Sequence, residues 1–389
     1  MSSLTVTLIL FSLLLLLLFL NVPLVVSIGL PTALIMLGSG MKVATLAQRT
    51  YASVDSFTLM AIPFFMLAGK LMEVGGMSKR IVRLADCLVG WMAGGLAHVI
   101  VVASAFFGAL SGSAAATTAA IGSTLIPEMK KRGYPADFVA GIQAVAGALG
   151  VIIPPSITMI MYGVCSSTSI GKLFMAGIVP GIVLALFLMV TIAYQAKKRK
   201  ISQMNTFTFK ELGAAFLDAI PALLVPTIIL GGIYGGIFTP TEAGAVAATY
   251  GFLAGAFWYK EINLQNIGNI MGGAIVNTVL VMIVVGASGA FSWLLTSAGV
   301  SSLLGKAISA IAGNKYIFLL VANLIFIFIG MFIESVAGIL IVTPILLPIA
   351  TSLGVDPVHF GIIMVVNLAL GLTTPPVGEN QYIAAAIAE

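Results

Sequence analysis

Two stretches, Gly150-Val-Ile-Ile-Pro154-Pro155-Ser156 and Gly371-Leu-Thr-Thr-Pro375-Pro376-Val377, lie in apolar segments that otherwise resemble each other. Consecutive prolines cannot donate backbone hydrogen bonds and clash with the preceding helical turn, so a helix breaks at each pair. Gly150 and Gly371 relax the chain just before each break. Breaking a hydrophobic helix twice in the same way adds little to a soluble core. In a bilayer it frees carbonyls and helix ends that hold an ion or an anion, provided protein or a water-filled cavity surrounds them.

Composition decides between these settings. The chain has 389 residues, 60% of them hydrophobic and only 8% charged, with a mean hydropathy of +1.15. A soluble domain carries about a quarter charged residues, so the expected fold is an all-α polytopic membrane protein in contact with the lipid bilayer. Apolar runs at Leu84–Phe107, Leu173–Ala196, Phe216–Phe238, Ala243–Trp258 and Ile317–Ile333 approach or exceed the ~20 residues that cross a bilayer. The first is interrupted by Asp86 and His98. Leu4–Leu20 has no basic residue before it and leads through Asn21-Val-Pro23 into a second apolar run. It reads as a first membrane helix followed by a second, not as a cleaved signal.

The net charge of +5 is no nucleic-acid signal. The basic residues gather in short loops, at Lys79-Arg80 with Arg83, at Lys130-Lys131-Arg132 and at Lys197-Lys198-Arg199-Lys200. That pattern places those loops on the cytoplasmic side of the membrane, in a multi-pass protein. Cys87 and Cys165 sit in unrelated apolar contexts, and His98 and His359 form no metal spacing.

A shift of about 222 positions lays one half over the other. Ala105–Ser113 then falls on Ile327–Ser335, Pro135–Phe138 on Pro357–Phe360, and the two Pro-Pro pairs coincide within one residue. The first-half loops are basic, whereas their counterparts near Ser302–Lys306 and Ser352–Gly354 carry one positive charge and none. With three spans between the halves, this charge difference describes an inverted repeat. Ser56–Met72, with Pro63 and with basic residues on both flanks, is expected to enter and return as a re-entrant hairpin. Its counterpart is Val279–Leu295, with Gly286 and Gly289 near the turn. The chain then divides into scaffold helices (1–53), a first repeat of hairpin plus broken helix (54–165), linking scaffold helices with a polar connector near 197–212 (166–260), and a second repeat (261–389).

The residues that could carry chemistry are few. Ser111-Gly-Ser113-Ala-Ala-Ala-Thr117-Thr118 interrupts an apolar run with hydroxyls, which suit a hard cation such as Na+. Taken alone, such a run equally serves close helix packing. Carbonyls of Ile152 and Thr373, freed by the breaks, and the hydroxyls of Thr373 and Thr374 add oxygen ligands. Glu334 and Ser335 stand in a hydrophobic stretch. Glu334 there balances a cation, carries a proton, or simply bonds to backbone at an interface. Thr239-Pro240-Thr241-Glu242 and Asp356-Pro357 read as helix starts. No HExxH, Gly-x-Ser-x-Gly, phosphate-binding loop or dinucleotide fingerprint occurs, so the chain is not expected to be an enzyme. Transport without an ATP site draws on an ion gradient or the membrane potential.

Gly236-Ile-Phe-Thr-Pro-Thr-Glu242-Ala-Gly-Ala-Val-Ala, Ser111-Gly-Ser-Ala, Ile152-Ile-Pro-Pro-Ser156-Ile and Thr373-Thr-Pro-Pro-Val-Gly378 resemble the large membrane subunit of tripartite ATP-independent periplasmic (TRAP) transporters. Pro63-Phe-Phe-Met-Leu-Ala-Gly69 and Phe174-Met-Ala-Gly177-Ile-Val-Pro180-Gly181 match as well. The resemblance covers nearly the whole chain. It implies an elevator-type member of the ion-transporter superfamily that imports small organic anions, usually carboxylates such as sialic acid, dicarboxylates or keto and sugar acids, coupled to Na+ and with no other cofactor. It further implies two partners, a small four-helix membrane subunit and a periplasmic substrate-binding protein. By resemblance, Na+ sites fall at Ser111, Ser113, Gly150, Ile152 and Pro155, and through the repeat at Gly371, Thr373, Thr374 and Pro376. Thr117, Ser156, Glu334 and Ser335 are candidates for substrate contact or coupling. Two departures stand out. Some relatives carry an acidic residue where this chain has Thr117, and relatives usually continue with further apolar sequence after the position of Glu389. The competing reading is a stand-alone Na+- or H+-coupled anion symporter that needs no binding protein.

Overall fold

The computed structural model describes residues 2–20, 22–199, 201, 207–300, 303 and 314–389. Lys200, the 202–206 part of the polar connector, and the loop Ser302–Lys306 apart from Leu303 lie outside them. Every regular element among the described residues is helical. Among the described residues, four helices are long and apolar enough to cross a membrane, or up to six if two bent pairs each count as one span.

The amino-terminal run folds as two helices, α1 (Ser3–Phe19) and α2 (Leu24–Gly38), with Pro23 at the start of the second. The next segment differs from the expected hairpin. α3 (Val43–Val54) is followed by a short 3-10 turn, Thr58–Met60, and by α4 (Ala61–Val74), the pair meeting at a 62° bend. Ser56–Met72 therefore holds one helical arm and no return. Pro63 lies in the first turn of α4, where its missing N–H has no intrahelical partner to lose.

The second expected hairpin is likewise absent, because α14 (Ile267–Ser297) runs unbroken through Val279–Leu295. Gly286 and Gly289 are not turn residues. A Cβ on Gly286 would approach Thr50 of α3, and one on Gly289 would fall 2.1 Å from Ser53 Cβ. Both glycines let α3 lie close along α14, and the Ser53 hydroxyl sits 3.4 Å from the carbonyls of Val285 and Gly286.

The run Leu84–Phe107 also divides. α5 (Met77–Val89) ends before a Gly90–Gly94 bend, and α6 (Gly95–Ser111) starts after Gly94 at φ +75°. Asp86 and the basic residues Lys79, Arg80 and Arg83 thus belong to a short amphipathic helix, and α6 is left almost wholly apolar.

The hairpins lie elsewhere. α6 turns at Gly112, φ +62°, and returns as α7 (Ala114–Lys131). In the second half, α15 (Lys315–Gly330) turns through Met331–Glu334 into α16 (Ser335–Ser352). A broken helix follows each. α8 (Ala136–Gly147) and α9 (Leu149–Ile152) lead to Pro154-Pro155, and α10 (Ile157–Ser166) leaves at 44° to them. α17 (Pro357–Gly371) leads to Pro375-Pro376, and α18 (Glu379–Ala388) follows. Both Pro-Pro bonds are cis.

Between the halves run α11 (Ile170–Lys198), α12 (Phe209–Tyr234) and α13 (Pro240–Leu253). α13 begins as expected, with Thr239 and Glu242 forming a complete capping box around Pro240. Asp356 caps α17 through the N–H groups of Val358 and His359. α11 presents Val179, Leu186, Phe187 and Val190 outward, an apolar stripe suited to lipid or protein at membrane depth.

The halves interlock. α7 packs on α8 and also on α18 of the other half; α16 packs on α17 and also on α10. The Tyr162 hydroxyl of α10 donates to the Pro357 carbonyl at 2.7 Å. Phe360 of α17 meets Phe318 and Phe326 of α15, with ring centroids 6.0 and 5.6 Å apart, and seats the second hairpin.

Candidate functional site

Each hairpin tip rests on a Pro-Pro break, and glycines make the contact possible. A Cβ on Gly108 of α6 would come within 2.8 Å of Gly150 Cα, and one on Gly330 of α15 within 3.0 Å of Gly371 Cα. The Gly112 carbonyl accepts the Ile157 N–H at 3.2 Å; in the second half the Met331 carbonyl accepts the Gly378 N–H at 3.2 Å. Nothing in a list of local motifs announces these crossings. They come from pairs of small residues some forty positions apart that must touch.

At the first tip, three of the expected residues come together with Thr117. Ser111 Oγ lies 3.0 Å from Thr117 Oγ1, which donates to the Ser113 carbonyl at 2.8 Å. Ser113 caps α7 by accepting the Ala116 N–H. Gly150 closes the group from below, since a Cβ there would sit 2.4 Å from Thr117 Oγ1 and 2.5 Å from the Ser113 carbonyl. Ser111 and Thr117 are buried. The Pro155 carbonyl lies against Gly112, 3.1 Å from where a Cβ there would sit. The oxygens so assembled are hydroxyl and carbonyl oxygens without a carboxylate, a set that fits a small hard monovalent cation.

Two expected residues are placed differently. The Ile152 carbonyl faces Gly177 of α11, where a Cβ would lie 3.0 Å from it. Ser156 is occupied by structure, donating to the Val151 carbonyl at 2.7 Å and capping α10 through the Met159 N–H.

The second tip is built the same way but from other chemistry. Glu334 takes the capping position of Ser113, its Oε2 accepting the Val336 N–H at 2.9 Å and the Ala337 N–H at 3.4 Å. Ser335 beside it is fully buried, and its hydroxyl has no partner among the described residues. The hydroxyls of Thr373 and Thr374 both donate to the Leu370 carbonyl, at 2.8 and 2.9 Å, which leaves their oxygens able to accept or to ligate. Gly371 is buried in the crossing with Gly330, whereas Pro376 is exposed where Pro155 is buried.

A cavity of about 570 Å³ joins the two tips. Ser111, Ser113, Glu334 and the opening residues of α7 and α16 line it, with Lys70 and Glu73 of α4, Asn277 of α14 and Glu379 of α18. The last four escaped the sequence analysis. Lys70 and Glu73 had a readable signal, two charges inside the apolar segment Ala61–Val74. Glu379 follows the second break by three residues, but nothing local aims it at the first tip.

A model of the tripartite ATP-independent periplasmic transporter family, DctM component, matches residues 8–389. The chain belongs to that family. It is 44% identical over 362 residues to the C4-dicarboxylate TRAP transporter large permease DctM of Pseudomonas aeruginosa, covering 93% of this chain and 85% of the relative. Over 373 residues it is 44% identical to the isethionate TRAP transporter permease DctMQ of Oleidesulfovibrio alaskensis, covering 95% of this chain and 58% of that longer protein. The YdaH transporter of Alcanivorax borkumensis shares the fold, with a TM-score of 0.64 over 88% of this chain and 80% of its own, at 13% identity. The DctM-family chain is thus a TRAP transporter subunit of the large-permease type, a multi-pass inner-membrane protein and not an enzyme.

Proposed function

We propose that this DctM-family subunit imports small organic anions, carboxylates foremost, by Na+-coupled, elevator-type alternating access. Its expected partners are the small four-helix membrane subunit and a periplasmic binding protein that delivers the substrate. One observation carries the reading: two hairpin tips, each seated on a Pro-Pro break, open onto one shared cavity. Electrostatics supports the coupling. The lining residues include three carboxylates, Glu73, Glu334 and Glu379, against the single ammonium of Lys70. An anion enters a low-dielectric site of that sign only with a compensating cation or proton. The Ser111–Ser113–Thr117–Gly150 group, next to the cavity, is the proposed Na+ site. Gly371, Thr373 and Thr374 are the proposed second site.

Ile152, Pro155 and Pro376 then serve by shaping the breaks, and Ser335 with its unpartnered hydroxyl serves substrate or ion. The inverted orientation of the halves and the division at residues 53, 165 and 260 belong to the same proposal. The test is uptake into proteoliposomes containing both membrane subunits, with the binding protein outside and with labelled succinate, N-acetylneuraminate and isethionate as probes. Uptake that requires both Na+ and the binding protein is expected. Uptake indifferent to the binding protein would make the chain a stand-alone symporter, and uptake indifferent to Na+ would remove the ion assignment.

A further inference from the structure

We propose that Lys70 is the group that takes the anionic head of the substrate, and that Glu73 holds it in the empty cavity and gives way when the substrate arrives. The proposal rests on the transport reading above and adds a residue to it. Lys70 and Glu73 lie one turn apart on α4, with Nζ 3.0 Å from Oε2 and 3.2 Å from Oε1. Their side chains are 30% and 34% exposed and both line the cavity. An ion pair reachable from an aqueous cavity is weak, because solvent screens it and two long side chains must be held still. It is therefore exchangeable. A substrate anion can replace the Glu73 carboxylate at Nζ without burying an unpaired charge, since the Glu73 side chain is 34% exposed and lines the cavity.

Position singles out the lysine further. Gly69, its neighbour in the chain, lies against Ser111, where a Cβ would fall 3.3 Å from Ser111 Cα. Lys70 thus leaves α4 one residue from the contact with Ser111, and both residues line the same cavity. On the other side, Gly273 of α14 makes room for the aliphatic stem, a Cβ there being 3.4 Å from Lys70 Cε. Every other ionisable group lining the cavity is a carboxylate, on α4, on α18 or at the start of α16. Among the described lining residues only Lys70 offers a positive charge to a carboxylate or a sulfonate.

The experiment compares wild type with K70Q, K70R and E73Q in the reconstituted system, using whichever of succinate, N-acetylneuraminate and isethionate the wild type takes up. K70Q is expected to raise the substrate concentration for half-maximal uptake about tenfold or more, the loss of a charged hydrogen bond, with the Na+ dependence unchanged. K70R restores most of the affinity. E73Q lowers the half-maximal concentration by about threefold, the worth of a screened ion pair. Wild-type affinity in K70Q would overturn the proposal, as would an E73Q variant impaired like K70Q, which would mark the pair as structural. Thermal unfolding of each variant in detergent separates misfolding from lost binding.

A second readout does not depend on transport. Amine labelling of Lys70 in the purified chain, followed by mass spectrometry, should be slowed by at least one of the three anions and not by succinamide. Equal labelling with and without all three would overturn the proposal even if uptake is observed. Protection with no uptake would uphold it while sinking the transport reading.

Discussion

A methyl group on Gly150 would meet Thr117 Oγ1 at 2.4 Å and the Ser113 carbonyl at 2.5 Å, so G150A must push the first tip off its break. Overpacking of this kind costs about 1–3 kcal/mol, and the variant is expected to unfold at a lower temperature and to need more Na+. Ser111→Ala separates the two effects. It removes one oxygen and no packing volume of consequence, so the unfolding temperature should hold while half-maximal Na+ activation of uptake moves upward severalfold. Unchanged Na+ activation in S111A would take the hydroxyl out of the ion site. The hydroxyls themselves were legible, because Ser and Thr interrupting an apolar run are visible without a structure. Gly150 was legible as the glycine before the break, but its crossing with Gly108 was not, because that contact joins positions 42 apart in the chain.

At the scale of elements, the second hairpin poses a sharper question than the first. Glu334 caps α16 with a carboxylate where Ser113 caps α7 with a hydroxyl. Ser is as good a cap as a carboxylate, within about 1 kcal/mol, so E334S should fold with little loss. If Glu334 also neutralises a cation or carries a proton, E334S loses uptake; near-normal uptake would leave capping as its whole role. The helix starts at Thr239 and Asp356 could be read from four residues and from two, because a cap is a local device. The hairpins could not. Pro63, Gly286 and Gly289 carry the usual marks of a turn, yet Pro63 sits in a first helical turn and the glycines serve the passage of α3 along α14. The actual turn at Ser111-Gly112-Ser113 was visible as a chemical motif, and its positive-φ glycine was the overlooked sign of a chain reversal.

The molecule as a whole is tied at its polar end by charges that the pattern of basic loops alone does not reveal. Arg80 Nη1 of α5 reaches Glu261 Oε1 at 2.7 Å, beyond the end of α13, and its guanidinium lies 4.1 Å from the Tyr259 ring centroid. Arg80 and Arg83 also approach Asp218 of α12. The hydrogen bond from Arg80, aided by Lys79, holds the Glu261 carboxyl below the usual carboxylate range against the opposing effect of burial. A lowered folded-state value stabilises the fold above the unfolded carboxylate pKa of about 4.3, and that contribution fades as pH falls through the folded value. Thermal unfolding in detergent should therefore be insensitive to Glu261 protonation from pH 6 to 8 and drop in acid, with E261Q starting lower and dropping less. The interlocking of the halves has a consequence in time. The seat of α7 includes α18, about 250 residues further along the chain, and synthesis at roughly 5–20 residues per second delivers it on the order of 10–50 s later. Through that interval the first hairpin, with its polar tip, waits in the membrane without the surface it is built against. Biogenesis must shelter it until α18 arrives to complete its seat.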